Sequence, residues 1–257
     1  MLSSLTTRHH DYHMTARPMA AMEIDYPDGA STGSHAHPRG QLLYAIEGVM
    51  IVRSDVGVWV VPPNRAVWLV AGLFHEVRMC GAVKIGTVFV DPQAAPNLPQ
   101  ESCVIAVSPL MRELIVAAMG VPLDYRPDTR DERLMRLLLD EFREVNVLPL
   151  HLPMPRDARL KTICEALVAR PDDVSTADQW ARGLKVTAKT IHRLFSEETG
   201  MTFGQWRQQA RLVFALERLA QGELIIDIAL NSGYASQSAF AVMFRKHFGV
   251  PPSLFYR

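Results

Sequence analysis

An internal repeat near the C-terminal end constrains this 257-residue chain more than any other feature. A shift of 49 residues superposes Thr187 on Ser236, Ile191 on Phe240, Leu194 on Met243, Phe195 on Phe244 and Gly200 on Gly249. Thr and Ser are N-cap residues, because their side-chain oxygens accept from backbone N–H groups that the first helical turn leaves unpaired. Apolar residues at i, i+3 and i+4 form one buried helix face. Glycine adopts the left-handed conformation that ends a helix. The repeat therefore predicts two similar helices. Ala177, Trp180, Ala181 and Leu184 predict a partner helix before the first, with Gly183 permitting a turn. Ile225, Ile228 and Ala229 predict a partner before the second, with Asn231-Ser232-Gly233 as its turn. Helix, short glycine-containing turn, helix is the helix-turn-helix pattern, present here twice. Between the pairs, Trp206, Ala210, Val213 and Leu216 recur at helical spacing. A connecting helix there would be a strut of roughly 26 Å. With the widths of its neighbours, it could set two helices about one DNA turn, ~34 Å, apart.

Two copies are too few for a solenoid. The outward face of the first repeated helix carries Thr187, Lys189, Thr190, His192 and Arg193, and that of the second carries Ser236, Gln237, Ser238, Arg245 and Lys246. These side-chain types reach phosphates and base edges. The charge distribution points the same way. Residues 1–155 hold 13 Lys and Arg against 17 Asp and Glu, while residues 156–257 hold 14 against 10. A basic C-terminal part suits a nucleic-acid partner.

Thr187-Ala188-Lys189-Thr190-Ile191-His192-Arg193-Leu194-Phe195, followed by Glu197-Glu198-Thr199-Gly200, resembles the first recognition helix of AraC/XylS-type transcription regulators. Gly233-Tyr234-Ala235-Ser236-Gln237-Ser238-Ala239-Phe240 resembles the end of the same domain, with Phe244 to Pro252 and Tyr256-Arg257 after it. The resemblance implies two helices in successive major grooves on one face of double-stranded operator DNA. It implies base-edge roles for Lys189, His192 and Arg193, and for Gln237, Ser238, Ala241 and Val242. Ala241 and Val242 depart from the polar residues often found there. The second helix is thus expected to give less direct readout, through phosphates and thymine methyls.

The N-terminal part reads as short strands at 42–46, 49–53, 58–61, 66–70, 74–79 and 84–90. Glu47-Gly48, residues 55–57, Pro62-Pro63-Asn64, Ala71-Gly72 and Cys80-Gly81 give turn signals between them. Many strands without helices predict an antiparallel barrel or sandwich. Residues 109–146 carry two amphipathic patterns, one on Leu110, Leu114, Ala117 and Ala118, the other on Leu134, Leu137, Leu138 and Phe142. Either the same barrel or a second copy of the chain could cover them, the latter giving a homodimer. Pro149, Pro153 and Pro155 mark 147–155 as a linker.

A chemical constellation lies in the strands. His35 and His37, at i and i+2, face one way if extended. His75 follows a turn at Gly72, and Gln41 offers an amide oxygen. This set resembles the two motifs of the cupin barrel, with Gln41 where that family usually has Glu. The resemblance implies a divalent transition metal (Zn, Ni or Fe) held by His35, His37, Gln41 and His75. Loss of the carboxylate weakens such a site, and an organic effector remains the alternative. Tyr44, Trp59, Trp68 and Phe89 would wall its pocket. His9, His10 and His13 are expected to be exposed on an N-terminal arm.

The fold class expected is therefore α+β with two domains. A cupin-like jelly-roll barrel spans 1–108, a helical segment and linker 109–155, and an all-α domain with two helix-turn-helix motifs 156–257. The function expected is that of a DNA-binding transcription regulator responding to a small molecule or metal, with RNA polymerase as a further partner if it activates. The competing class is a metal-dependent cupin enzyme, a dioxygenase or isomerase, but no general base accompanies the histidines in sequence. No apolar run reaches the ~18 residues of a membrane span. Three scattered cysteines are not a disulfide framework. Cytoplasmic localisation is the default expectation.

Overall fold

The computed structural model describes residues 11–95, 98–142, 147–148 and 150–255. It divides into two compact units. One comprises residues up to 54 and 61–150, the other 55–60 and 151–257. The division differs from the sequence expectation in two respects. The helices of 109–146 belong to the first unit rather than to a segment of their own. Residues 55–60, from amid the strands, join the second.

In the first unit β1 (Met19–Tyr26), β2 (Gly40–Ser54), β4 (Arg65–Leu69), β5 (His75–Val90), β6 (Cys103–Ala106) and β7 (Val147–Leu148) run in the order β1-β5-β2-β4-β6-β7. Every pair in that order is antiparallel. The sheet is open, with β1 and β7 at its ends, so the expected barrel does not close. Two of the expected turns are bulges. β2 and β5 each run unbroken through them, with register shifts between Ala45 and Val49. Gly48 and Gly81 take φ of +75° and +80° there. Some bulges and some turns place a residue at positive φ, so glycine at such a position signals either one.

Side chains alternate across β2. Leu42 lies opposite Trp68 and Val88, whereas Gln41 lies opposite Leu69 and Phe89. The face of Leu42 and Tyr44 packs against α1 (Pro109–Ala118) and α2 (Arg130–Glu141). Their N-caps are Ser108 and Thr129, whose hydroxyls accept from Met111 N–H and Glu132 N–H. Ile115, Met135, Leu138 and Phe142 complete this core. The unit's own sheet thus covers Leu114 and Ala118 of α1 and Leu134 and Leu138 of α2, whereas Leu110 and Leu137 of the expected patterns are exposed. The other sheet face holds the histidines.

The second unit begins with a strand pair. β3 (Gly57–Val61) pairs antiparallel with β8 (His151–Pro153) through Gly57–Pro153, Val58–Leu152 and Trp59–His151. The expected linker is in part this strand; Pro149 lies outside the described residues. Helices follow: α3 (Ala158–Ala169), α4 (Ala177–Gly183), α5 (Ala188–Thr199), α6 (Phe203–Ala220), α7 (Ile225–Asn231) and α8 (Gln237–Phe248). The 18 residues of α6 give about 27 Å of length. Trp206 and Gln209 of α6 donate to the carbonyls of Pro153 and His151 at 2.7 and 3.1 Å. These bonds tie β8 to the helices. Among the described residues no helix is long and apolar enough to cross a membrane. The three cysteines are free.

Candidate functional site

The repeat builds two matched helices. Thr187 Oγ1 accepts from Thr190 N–H and Ser236 Oγ from Ala239 N–H, each at 3.1 Å. Gly200 and Gly249 end the helices with φ of 68° and 76°. Ile191, Leu194 and Phe195 are buried in α5, and Phe240 and Phe244 in α8. The two helices rest on separate aromatic clusters. Phe195 meets Phe203 and Trp206, whereas Phe244 meets Phe240, Phe248 and Phe255. Partner helices α4 and α7 precede each by a short turn, as the spacing predicts.

The outward faces carry the residues singled out in the sequence. Lys189, His192 and Arg193 are exposed on α5; Gln237, Ser238, Val242, Arg245 and Lys246 are exposed on α8, with Ala241 half-buried. Thr187 and Ser236 act as caps, and Thr190 shares its hydroxyl with Thr187 at 2.9 Å. Their side chains therefore set the helix starts first. Glu197 was not among the site residues expected. It accepts from Arg193 at 2.6 Å across one helical turn and orients that guanidinium. The i, i+4 spacing of Arg193 and Glu197 is the sequence signal for this pair.

The second candidate site is the histidine cluster of the first unit. His35 and His75 are hydrogen-bonded backbone partners: His35 N–H donates to His75 O and His75 N–H to His35 O. Their rings lie 4.5 Å apart, and the ring of His37 lies 4.7 Å from His35 and 5.4 Å from His75. One ligand-capable atom from each of the three comes within 4.8 Å of the others. Nδ1 of His35 lies 2.9 Å from Gly33 O, and Nδ1 of His75 2.9 Å from Leu73 O. A carbonyl only accepts, so both Nδ1 atoms carry the proton and both Nε2 lone pairs are left for a ligand. Burial lowers the His75 pKa to about 4, which keeps this ring neutral and able to coordinate at neutral pH. Gln41 donates through Nε2 to Thr87 Oγ1 at 3.1 Å, which leaves its buried Oε1 without a hydrogen-bond partner. A buried orphan acceptor is costly unless something fills the role of donor or Lewis acid. The cavity bordered by His35, Gln41, His75 and Thr87 measures about 20 Å³. That is room for a single water or ion.

The expected aromatic pocket does not form. Tyr44 and Trp68 lie on the opposite sheet face, in the core under α1 and α2. Trp59 belongs to the second unit, stacked on His151 at 4.7 Å and 5°. Only Phe89, opposite Gln41, shares the histidine face, 5.4 Å from His37. A larger cavity of about 370 Å³ lies elsewhere in this unit, bordered by Trp68, Val70, Val90, Pro92 and Leu98.

His13 also differs from expectation; His9 and His10 lie outside the described residues. It is half-buried and stacks on His37 at 4.1 Å with its edge on Phe89 at 4.3 Å. The buried Arg39 holds this arm by donating to the carbonyls of His13, Thr15, Arg17 and Pro18. No local sequence signal marks a contact across 26 residues.

A helix-turn-helix domain family model matches residues 180–257. The chain is 32% identical over 225 residues to the HTH-type transcriptional regulator NimR of Escherichia coli, covering 88% of this chain and 82% of that one. The regulator RipA of Corynebacterium glutamicum is 36% identical over 104 residues, 40% of this chain and 31% of its own. A solved AraC-type DNA-binding domain protein from Chromobacterium violaceum is 25% identical, covering 37% of this chain and 86% of its own at a TM-score of 0.35.

Proposed function

The chain belongs to the AraC/XylS family of DNA-binding transcription regulators, and from that premise we propose that its first unit senses a divalent transition metal. The observation that carries this reading is the convergence of His35, His37 and His75, whose ligand-capable atoms lie within 4.8 Å of one another. The backbone carbonyls on two Nδ1 protons and the unpartnered Gln41 oxygen support it. Imidazole suits zinc, nickel and iron, and the neutral donor set leaves the ion's charge uncompensated, which favours reversible binding. The cluster holds no carboxylate. Lys189, His192 and Arg193 of α5, with Gln237, Ser238, Ala241 and Val242 of α8, would meet base edges; Arg245 and Lys246 would meet phosphates. Metal binding would act by favouring one of two arrangements of the chain, to the extent that the arrangements differ in metal affinity.

The test is titration of metal-free protein with Zn(II) by calorimetry. One equivalent is expected for the wild type and none for the His35→Ala, His37→Ala double variant. Absence of saturable binding to the wild type would remove the metal reading. The 370 Å³ cavity favours a second reading, an organic effector. Binding lost in Trp68→Ala and kept in the histidine double variant would place sensing there.

A further inference from the structure

The shift that makes the two helices alike also makes their reading surfaces unlike. It superposes Lys189 on Ser238, His192 on Ala241, Arg193 on Val242 and Glu197 on Lys246. Matching caps at both ends hold the two helices in one register. Arg193 and Val242 therefore occupy the same place on the outward faces of α5 and α8.

The chemistry at that place is opposite in the two copies. The Arg193 side chain is 57% exposed, with Glu197 positioning its guanidinium. Val242 is 72% exposed, the half-buried Ala241 stands beside it, and Lys246 replaces the carboxylate. A branched apolar side chain between Ser238 and Arg245 on a polar face neither donates nor accepts. In a major groove the bases offer one apolar group, the 5-methyl of thymine, whereas a guanidinium pairs with the N7 and O6 of guanine.

We propose that Val242 reads a thymine methyl at the position where Arg193 reads a guanine in the first copy. One chain then recognises an asymmetric site, with a guanine and a thymine about one helical turn apart. The proposal rests on the family's DNA binding and on α5 and α8 each entering a major groove. A solitary exposed valine is unremarkable on a protein surface. The repeat register, which puts it at the place of a base-reading arginine, is what gives it meaning.

The experiment uses the full chain and a duplex selected from a random pool. Each thymine is replaced in turn by deoxyuridine, which removes the methyl alone, and dissociation constants are read by fluorescence anisotropy. At one position uracil should weaken the wild type about fourfold, the worth of one buried methyl-sized group. Val242→Ala should bind the thymine duplex about fourfold more weakly and be indifferent to uracil there. Val242→Arg should shift that base pair's preference toward guanine. Val242 is exposed, and circular dichroism checks that each variant keeps its helices. A wild type indifferent to uracil at every thymine, or an alanine variant as sensitive as the wild type, overturns the assignment while leaving DNA binding intact. Failure of selection to enrich any duplex would overturn both this proposal and its premise.

Discussion

Acidification gives a quantitative test of the strand pair that fastens residues 55–60 to the helical unit. His151 stacks flat on Trp59, and burial lowers its pKa from 6.5 to about 4. Its Nε2 is buried without a hydrogen-bond partner. The sign follows from linkage. The folded pKa lies below the unfolded one, so the unfolded chain takes up the proton first. The contribution is complete above pH 6.5 and is lost as pH falls toward 4. Between about pH 7.5 and about pH 4.5 this one group should cost the second unit about 2.5 kcal/mol. His151→Phe keeps a ring on Trp59 and cannot titrate. Urea unfolding at several pH values, followed by tryptophan fluorescence, compares the two proteins. Trp59, Trp180 and Trp206 all lie in the second unit, so the signal reports mainly on it. The wild type should lose about 2–3 kcal/mol more than the variant over that range, other groups cancelling in the difference. Equal losses would mean that the imidazole is not held away from water and that the Trp59–His151 stack is open.

Two further outcomes follow from the same geometry. Arg193→Ala should weaken binding at the selected duplex by about 1–3 kcal/mol and relax the base preference at one position; equal weakening on random DNA, measured by anisotropy, would contradict base reading by this side chain. Thr202→Ala breaks a reciprocal cap, in which Thr202 Oγ1 accepts from Gln205 N–H and Gln205 Oε1 from Thr202 N–H. It should cost about 1 kcal/mol in denaturant unfolding without altering base preference.

The DNA-reading half was legible because its signals are local. A hydroxyl at the cap, apolar residues three and four apart and a glycine after the last turn define each helix on their own, and the 49-residue shift checks one copy against the other. The sheet was less so. β1 carries two Ala, two Met and one Glu, residues with helical preference, and is held extended by eight-residue pairing with β5. β8 hid among prolines that read as a linker, although Pro153 sits opposite Gly57 at the end of a strand pair. Alternation located Trp59 on a strand but not the unit that strand completes. It also could not say that Tyr44 and Trp68 face the helices while Phe89 faces the histidines. The metal-ligand candidates His35, His37, Gln41 and His75 were visible as spaced motifs. The contact of His13 with them depends on Arg39 capturing a distant backbone, which no pattern encodes.

Under the proposed metal reading, occupancy of the histidine cluster changes how the chain holds DNA. The direct measurement is the dissociation constant for the selected duplex, with one equivalent of Zn(II) and with chelator, for wild type and for the His35→Ala, His37→Ala variant. A coupled regulator should show a change of at least about fivefold in the wild type and none in the variant. Identical affinities with and without metal in the wild type would mean that the histidine cluster is not coupled to DNA binding.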